Sequence, residues 1–276
     1  MNIVYFILGG KHPIHMQVAY SIRSILAQAT NDDHIFIATE TPAIYDGLPQ
    51  TTVIPVSRED IKEWEGPHHF FWRSKIAVMQ KIAEMAPDAP MVYLDGDTVL
   101  YGSLKEMKRK LSEGIGMMHL DEGCPGYMKG KSGKMWANVN GKSYGGIIIG
   151  QEHHMWNAGV VAIPSDKVKA VINKAMEVCD GMLDDGTEPV TVEQYSLSIA
   201  MHQLCSGMEE AKMWILHYWH YKSYWSLYIA KFFIDSYHVG KSLDEEIAEV
   251  RNTNITKVHL LLKAKRTFRK IIGLKY

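Results

Sequence analysis

The chain has 276 residues, 46% of them hydrophobic, with a formal net charge of −1 and a pI near 6.9. That length buries a sizeable core, as one large α/β domain or two small ones, while so balanced a charge provides no global field to attract nucleic acid. Three scattered cysteines, Cys124, Cys179 and Cys205, lack Cys-x-x-Cys spacing, which argues against a disulfide framework or a cysteine zinc site and fits a reducing compartment.

Apolar runs alternate with helical patterns along the chain. Ile3–Leu8 reads as the first strand; it has no basic leader and is too short for a signal peptide. No run approaches the length that spans a bilayer, so a soluble, cytoplasmic protein is expected. The amphipathic stretch His15–Gln28 follows, then strand candidates at His34–Ala38 and Thr52–Pro55. Ile76, Met79, Ile82 and Ala83 give Trp72–Met85 a helical period, and Pro87 and Pro90 end it. A short apolar strand starts at Met91, and Ser103-Leu-Lys-Glu106 has the capping-box pattern of a helix start. Strands separated by helices imply right-handed crossovers and a mainly parallel central sheet flanked by helices. Asp121–Gly150 is rich in Gly and Lys; a disordered insertion and a mobile lid both fit, and its place between two pieces of the candidate site favours the lid. Met213–Leu216 reads as a strand that ends at His217.

The chemistry concentrates at Met91-Val-Tyr-Leu-Asp-Gly-Asp-Thr-Val-Leu100. Residues i and i+2 of a strand point the same way, so Asp95 and Asp97 are expected to share one divalent cation at the carboxyl end of the sheet. Hard oxygen ligands select Mg²⁺ or Mn²⁺, which hold nucleotide phosphates. Gly96 is expected to admit a backbone or a diphosphate closely. Downstream, the Asn157 amide opens an apparent strand, where it is either satisfied by the backbone or turned to a ligand, and Gly159 allows close backbone approach. Lys75 reads, from composition alone, as a solvated helix residue. Glu193-Gln194 begins the apparent helix Val192–Leu204, where capping and solvation are the ordinary roles.

Phe71-Trp-Arg-Ser-Lys-Ile-Ala-Val-Met79, the aspartate strand and Tyr101-Gly-Ser-Leu-Lys-Glu-Met107 together resemble the core of GT-A-fold glycosyltransferases, and of glycosyltransferase family eight in particular. That family includes glycogenin and the lipopolysaccharide galactosyl- and glucosyltransferases. Trp156-Asn-Ala-Gly-Val-Val-Ala-Ile163 is similar to its Phe-Asn-(Ser/Ala)-Gly strand. Glu193-Gln194 stands where the family carries Asp-Gln, and His217-Tyr-Trp-His-Tyr-Lys-Ser-Tyr-Trp225 resembles its His-Phe-x-Gly-x-x-Lys-Pro-Trp. The likeness spans roughly residues 1 to 226. It implies a Rossmann-like nucleotide-sugar-binding fold; a catalytic domain is expected over 1–240, and 241–276 reads from its own residues as a basic helical tail. It also implies a retaining transfer from a UDP-sugar to a glycan or glycolipid. Asp95, Asp97 and His217 would hold the metal, and the imidazole favours manganese over magnesium. Lys75, Asn157, Gly159 and Lys222 would face the donor, with Arg73 a weaker candidate beside Lys75. Glu193 and Gln194 would face the sugar and the reacting centre. The family's lysine lies six residues after the histidine, whereas Lys222 lies five after His217, and the Gly and Pro are missing. His220 is therefore a second candidate ligand. The pairs His68-His69 and His153-His154 lack ligand spacing and read as surface.

Asp95-Gly-Asp-Thr-Val99 also fits the opening of haloacid-dehalogenase-type phosphatases, with Asp95 as nucleophile and Asp184-Asp185 imitating their later acidic motif. Some ninety residues of α/β pattern precede the motif, which that family places on its first strand. Finally, Lys257–Tyr276 carries Lys257, Lys263, Lys265, Arg266, Arg269, Lys270 and Lys275 and no acid. Leu261, Ala264, Phe268 and Ile271 form an apolar helical stripe among these charges. A helix packed on the core and an interfacial helix on an anionic membrane both fit. The aromatic series Trp225, Tyr228, Phe232 is expected to pack in a core.

Overall fold

A computed structural model describes residues 1–271 of the chain. Its first half runs β1 (Asn2–Ile7), α1 (His12–Leu26), β2 (His34–Thr39), β3 (Thr51–Pro55), α2 (Arg58–Glu65), α3 (Arg73–Met85), β4 (Met91–Leu94), β5 (Thr98–Leu100), α4 (Leu104–Ser112) and β6 (Ile115–Met118). Next come β7 (Asp121–Gly123), α5 (Lys131–Val139), β8 (Ser143–Tyr144), β9 (Ile147–Ile148), β10 (Met155–Trp156) and β11 (Val160–Ile163). The chain then passes through α6 (Val168–Asp184), α7 (Val192–Leu204), β12 (Gly207–Glu210), β13 (Ile215–His217), α8 (Lys222–Val239), α9 (Leu243–Asn252) and α10 (Ile255–Ile271).

Seven strands form the main sheet in the order β12-β6-β11-β4-β1-β2-β3, all parallel except β11, which runs against β4 and β6. The architecture is thus mixed α/β with a mostly parallel sheet. The chain builds outward from β1 through β2 to β3, then returns to place β4 on the other side of β1. The carboxyl ends of β1 and β4 therefore flank a topological switch point, where open α/β sheets bind ligands.

Strands buried on both faces read as continuous apolar runs, and β1 and β4 do. Alternate side chains feed two layers. Val4, Phe36, Tyr93 and Val161 pack with Ile76 and Met79 of α3 and with α6 and α7. Ile3, Tyr5, Ile35 and Val92 pack with Val18, Ile22 and Ile25 of α1 and with Leu104 and Met107 of α4. A third cluster joins Tyr20 of α1 to Trp225, Ile229 and Phe232 of α8 and Val250 of α9, so Trp225 and Phe232 are core.

Several expectations change. Ser103 accepts the Glu106 N–H (3.2 Å), but no reciprocal bond forms; complete capping boxes occur instead at Ser57/Asp60 and Ser242/Glu245. Asp121–Gly150 is folded rather than a disordered insertion, because Met135, Val139, Tyr144 and Ile147 are buried against the α6–α7 layer. Gly240, with φ of +68°, caps α8, and α9 beyond it packs on α1, where Arg251 Nε donates to the Ala27 carbonyl (2.9 Å). His153 is buried rather than superficial, its ring edge-on to His202 at 5.3 Å.

The last helix has two faces. Val258 and Leu262 pack on the third cluster, Trp225 Nε1 donates to His259 Nδ1 (3.2 Å), and the Arg266 guanidinium lies 4.8 Å from the Tyr221 ring centre. The stripe Leu261, Ala264, Phe268 and Ile271 faces solvent, with Phe268 62% and Ile271 76% exposed. Lys275 lies outside the described residues. Among the described residues no helix is long and apolar enough to cross a membrane.

Candidate metal site

Strand β4 ends at Leu94, so Asp95-Gly96-Asp97 forms the turn into β5 and strand alternation is not what brings the two carboxylates together. Tertiary pairing does it. Strand β13 runs antiparallel to β5 with His217 opposite Thr98, and Tyr218 N–H donates to the Asp97 carbonyl (3.0 Å). On the other side Asp95 N–H donates to the Gly159 carbonyl (2.9 Å). His217 Nε2 thereby lies 3.4 Å from Asp97 Oδ1 and 3.7 Å from Asp95 Oδ2. One ligand atom from each of Asp95, Asp97 and His217 falls within 4.8 Å of the others, a spacing that one cation can bridge. His220 stays apart: its ring lies tilted against Trp219 at 4.6 Å and its carbonyl accepts from Arg266 (2.6 Å).

The two glycines serve side chains of the protein itself. A Cβ on Gly159 would meet the His217 ring at 2.1 Å, so the imidazole lies directly on that backbone. A Cβ on Gly96 would stand 2.8 Å from Val18 Cγ2, so helix α1 is what approaches there. Asn157 sits in the turn between β10 and β11 rather than in a strand, with Oδ1 3.0 Å from His217 Nδ1.

Lys75 is buried, contrary to the solvated reading. Its ammonium lies 2.8 Å from Glu193 Oε1 and 3.6 Å from Asp95 Oδ1, donates to the Ala158 carbonyl (3.2 Å), and sits 4.8 Å from the centre of the Tyr93 ring. Burial works against that charge, yet Asp95 and Glu193 hold it, and the lysine pKa rises above its ordinary value. Burial pushes the Glu193 carboxyl up. Burial also opposes the Asp97 carboxylate, but His217 and the Lys222 ammonium (3.3 Å) outweigh it and bring its pKa down to about 2. Counting Asp95, Asp97 and Glu193 against Lys75 and Lys222 leaves one negative charge when His217 is neutral, an electrostatic invitation to a cation. Arg73 points elsewhere, paired with Asp180 (2.6 Å).

Two clefts meet at these residues. One, of about 210 Å³, runs between Phe6, Leu8, Ile14, Phe71 and Trp72 and ends at Asp95, Gly96, Asp97 and Lys222. The other, of about 160 Å³, is the more polar of the two and includes Lys75, Asn157, Glu193, Gln194 and His217. Gln194 Oε1 accepts the Ala158 N–H (3.4 Å).

Some participants escaped the sequence reading. Tyr93 donates its hydroxyl to Asp95 Oδ1 (3.1 Å), and its place on β4 two residues before Asp95 was a usable signal. His119, whose pKa burial lowers to about 3, meets the His217 ring edge-on at 5.1 Å. Glu122 joins Asn157 and Gln194 through a contact no local pattern announces.

No family model and no curated protein matches the chain. Solved structures similar to it include the galactosyltransferase LgtC in complex with donor and acceptor sugar analogues, at 15% identity and a TM-score of 0.48 over 75% of this chain and 72% of that one. An active-site mutant of LgtC gives 14% identity and 0.49 over 75% and 71%. The bifunctional glycosyltransferase WbbM, in its apo form, gives 13% and 0.43 over 71% of this chain and 37% of its own.

Proposed function

We propose that this chain is a metal-dependent glycosyltransferase that moves a sugar from a nucleotide-sugar donor, a UDP-sugar, to a glycan or glycolipid acceptor. The observation that carries this reading is the convergence of Asp95, Asp97 and His217 at the sheet's switch point, where an aromatic-walled cleft meets a polar one. Two carboxylates and an imidazole suit a divalent cation, and the nitrogen ligand favours Mn²⁺ over Mg²⁺. Such an ion, when bound, supplies positive charge that stabilises the departing diphosphate.

The protein's own groups divide the remaining work. Phe6 and Phe71, stacked with centres 6.5 Å apart, offer an apolar wall for the base. Lys222, half exposed beside Asp97, can turn to the phosphates as a mobile point charge. Lys75 is enclosed, so it steadies Asp95 and Glu193 from beneath the sugar cleft. Gln194, Glu193 and Asn157 line that cleft and are assigned to the sugar and the reacting centre. Gly159 gives His217 its seat. Retention of anomeric configuration rests on the family resemblance.

The phosphatase reading loses its second acidic motif, since Asp184 pairs with His68 (2.6 Å) and Asp185 with Lys142 (2.6 Å), while a histidine joins the aspartate pair. The exposed apolar stripe on α10 and its neighbouring lysines support peripheral contact with an anionic membrane, where each basic residue adds on the order of 1 kcal/mol. A glycolipid acceptor would be met there.

Hydrolysis of a panel of UDP-sugars with and without Mn²⁺ tests the proposal. Release of UDP from one donor, dependent on the metal, is expected. Turnover of p-nitrophenyl phosphate without release of UDP from any donor would overturn it.

A further inference from the structure

Glu122 is exposed on β7, outside the metal cluster, yet its carboxylate receives both carboxamides of the polar cleft. Asn157 Nδ2 donates to Oε1 (3.3 Å) and Gln194 Nε2 to Oε2 (3.1 Å). Which end of the Asn157 amide is the oxygen follows from the backbone as well as from Glu122. Gly159 N–H can only donate, and it donates to Asn157 Oδ1 (3.1 Å), so the oxygen is the atom turned inward. His217 Nδ1, 3.0 Å from that same oxygen, must then carry a proton. A neutral imidazole protonated at Nδ1 keeps its lone pair on Nε2, the nitrogen that faces Asp95 and Asp97. Likewise Ala158 N–H fixes Gln194 Oε1, which leaves Nε2 for Glu122.

We infer that Glu122 is a positioning residue for the metal site: by holding the amide nitrogens of Asn157 and Gln194, it fixes through Asn157 the tautomer and tilt of His217. This rests on the proposed metal site and adds a carboxylate–amide–imidazole relay to it. Outer partners of ligating histidines typically change metal affinity 10- to 100-fold. Because Glu122 is exposed, the lower end of that range applies.

The test is Mn²⁺ affinity, read by calorimetry and by the paramagnetic resonance of free Mn²⁺, in the wild type and in Glu122→Ala, Glu122→Gln and Glu122→Asp. Glu122→Ala should weaken Mn²⁺ binding about tenfold with an unchanged melting temperature. Glu122→Gln should do the same, because its own amide N–H₂ opposes one of the two it must receive. Glu122→Asp should recover most of the affinity. A charge acting through space is screened within about 3 Å at 1 M salt, whereas a hydrogen-bonded relay is not. The tenfold loss should therefore persist at 1 M salt. Wild-type affinity in Glu122→Ala, or a loss that vanishes in high salt, would overturn the relay. Failure of the wild type itself to bind Mn²⁺ would overturn the metal site instead, so the two failures are distinguishable.

Discussion

Lys75 and Lys263 are both lysines on helices of this chain, in opposite circumstances. Lys75 is 5% exposed, bracketed by Asp95, Glu193 and the Ala158 carbonyl. Lys263 stands in solvent on α10, with Phe268 and Ile271 uncovered nearby. Around the β4–β5 turn most of the charge is buried and paired, with Lys222 at its rim; on α10 the lysines are exposed and apolar surface is left open. Buried charges act through geometry, so single changes there are costly. Solvated cations act additively, so single changes matter little and salt screens them.

The largest effect should follow from removing the buried cation. Lys75→Ala leaves Glu193 and Asp95 facing each other without compensation and should cost about 3–5 kcal/mol in urea unfolding. A loss below about 1 kcal/mol would place the site among solvated surface pairs and erase the contrast. Next comes Gly159→Ala, whose Cβ would overlap the His217 ring at 2.1 Å. Overpacking of this kind typically costs about 1–3 kcal/mol, and displacement of the imidazole should weaken Mn²⁺ at least tenfold by calorimetry. Retained affinity would show that His217 is not a ligand. The smallest effect on stability belongs to the tail. Leu261→Ser and Phe268→Ser should stay within about 0.5 kcal/mol of wild type in thermal unfolding. Together they should abolish sedimentation with anionic liposomes at low salt while leaving donor hydrolysis unchanged. Undiminished sedimentation would reduce α10 to a structural helix.

This contrast also governs what could be read from the sequence. Strands β1 to β4, helices α1 and α3 and the class of sheet were legible, because each depends on local periodicity; α2 and the short strands β5 to β10 were not. Asp95 and Asp97 were legible as a pair, though for an incomplete reason: they lie in a turn, and the register of β13 on β5 completes the cluster with His217. Lys75 looked like any lysine on an amphipathic helix; only the arrival of Glu193 from α7 and Asp95 from the β4–β5 turn makes it a buried cation. Glu122 was silent, because its partners lie 35 and 72 residues away. On α10 the stripe Leu261, Ala264, Phe268 and Ile271 was visible, but periodicity cannot say which of two apolar faces a neighbour covers. The structure seats Val258 and Leu262 inward and leaves the stripe outward.

The central claim is that Asp95, Asp97 and His217 form one cation site that serves a nucleotide diphosphate. Calorimetric titration of UDP into the wild type, Asp95→Asn and Asp97→Asn, each with and without Mn²⁺, tests it most directly. The wild type should bind UDP only when Mn²⁺ is present, and both variants should lose this binding while melting cooperatively as folded proteins. UDP binding of equal strength without metal, or preserved Mn²⁺-dependent binding in both variants, would contradict it.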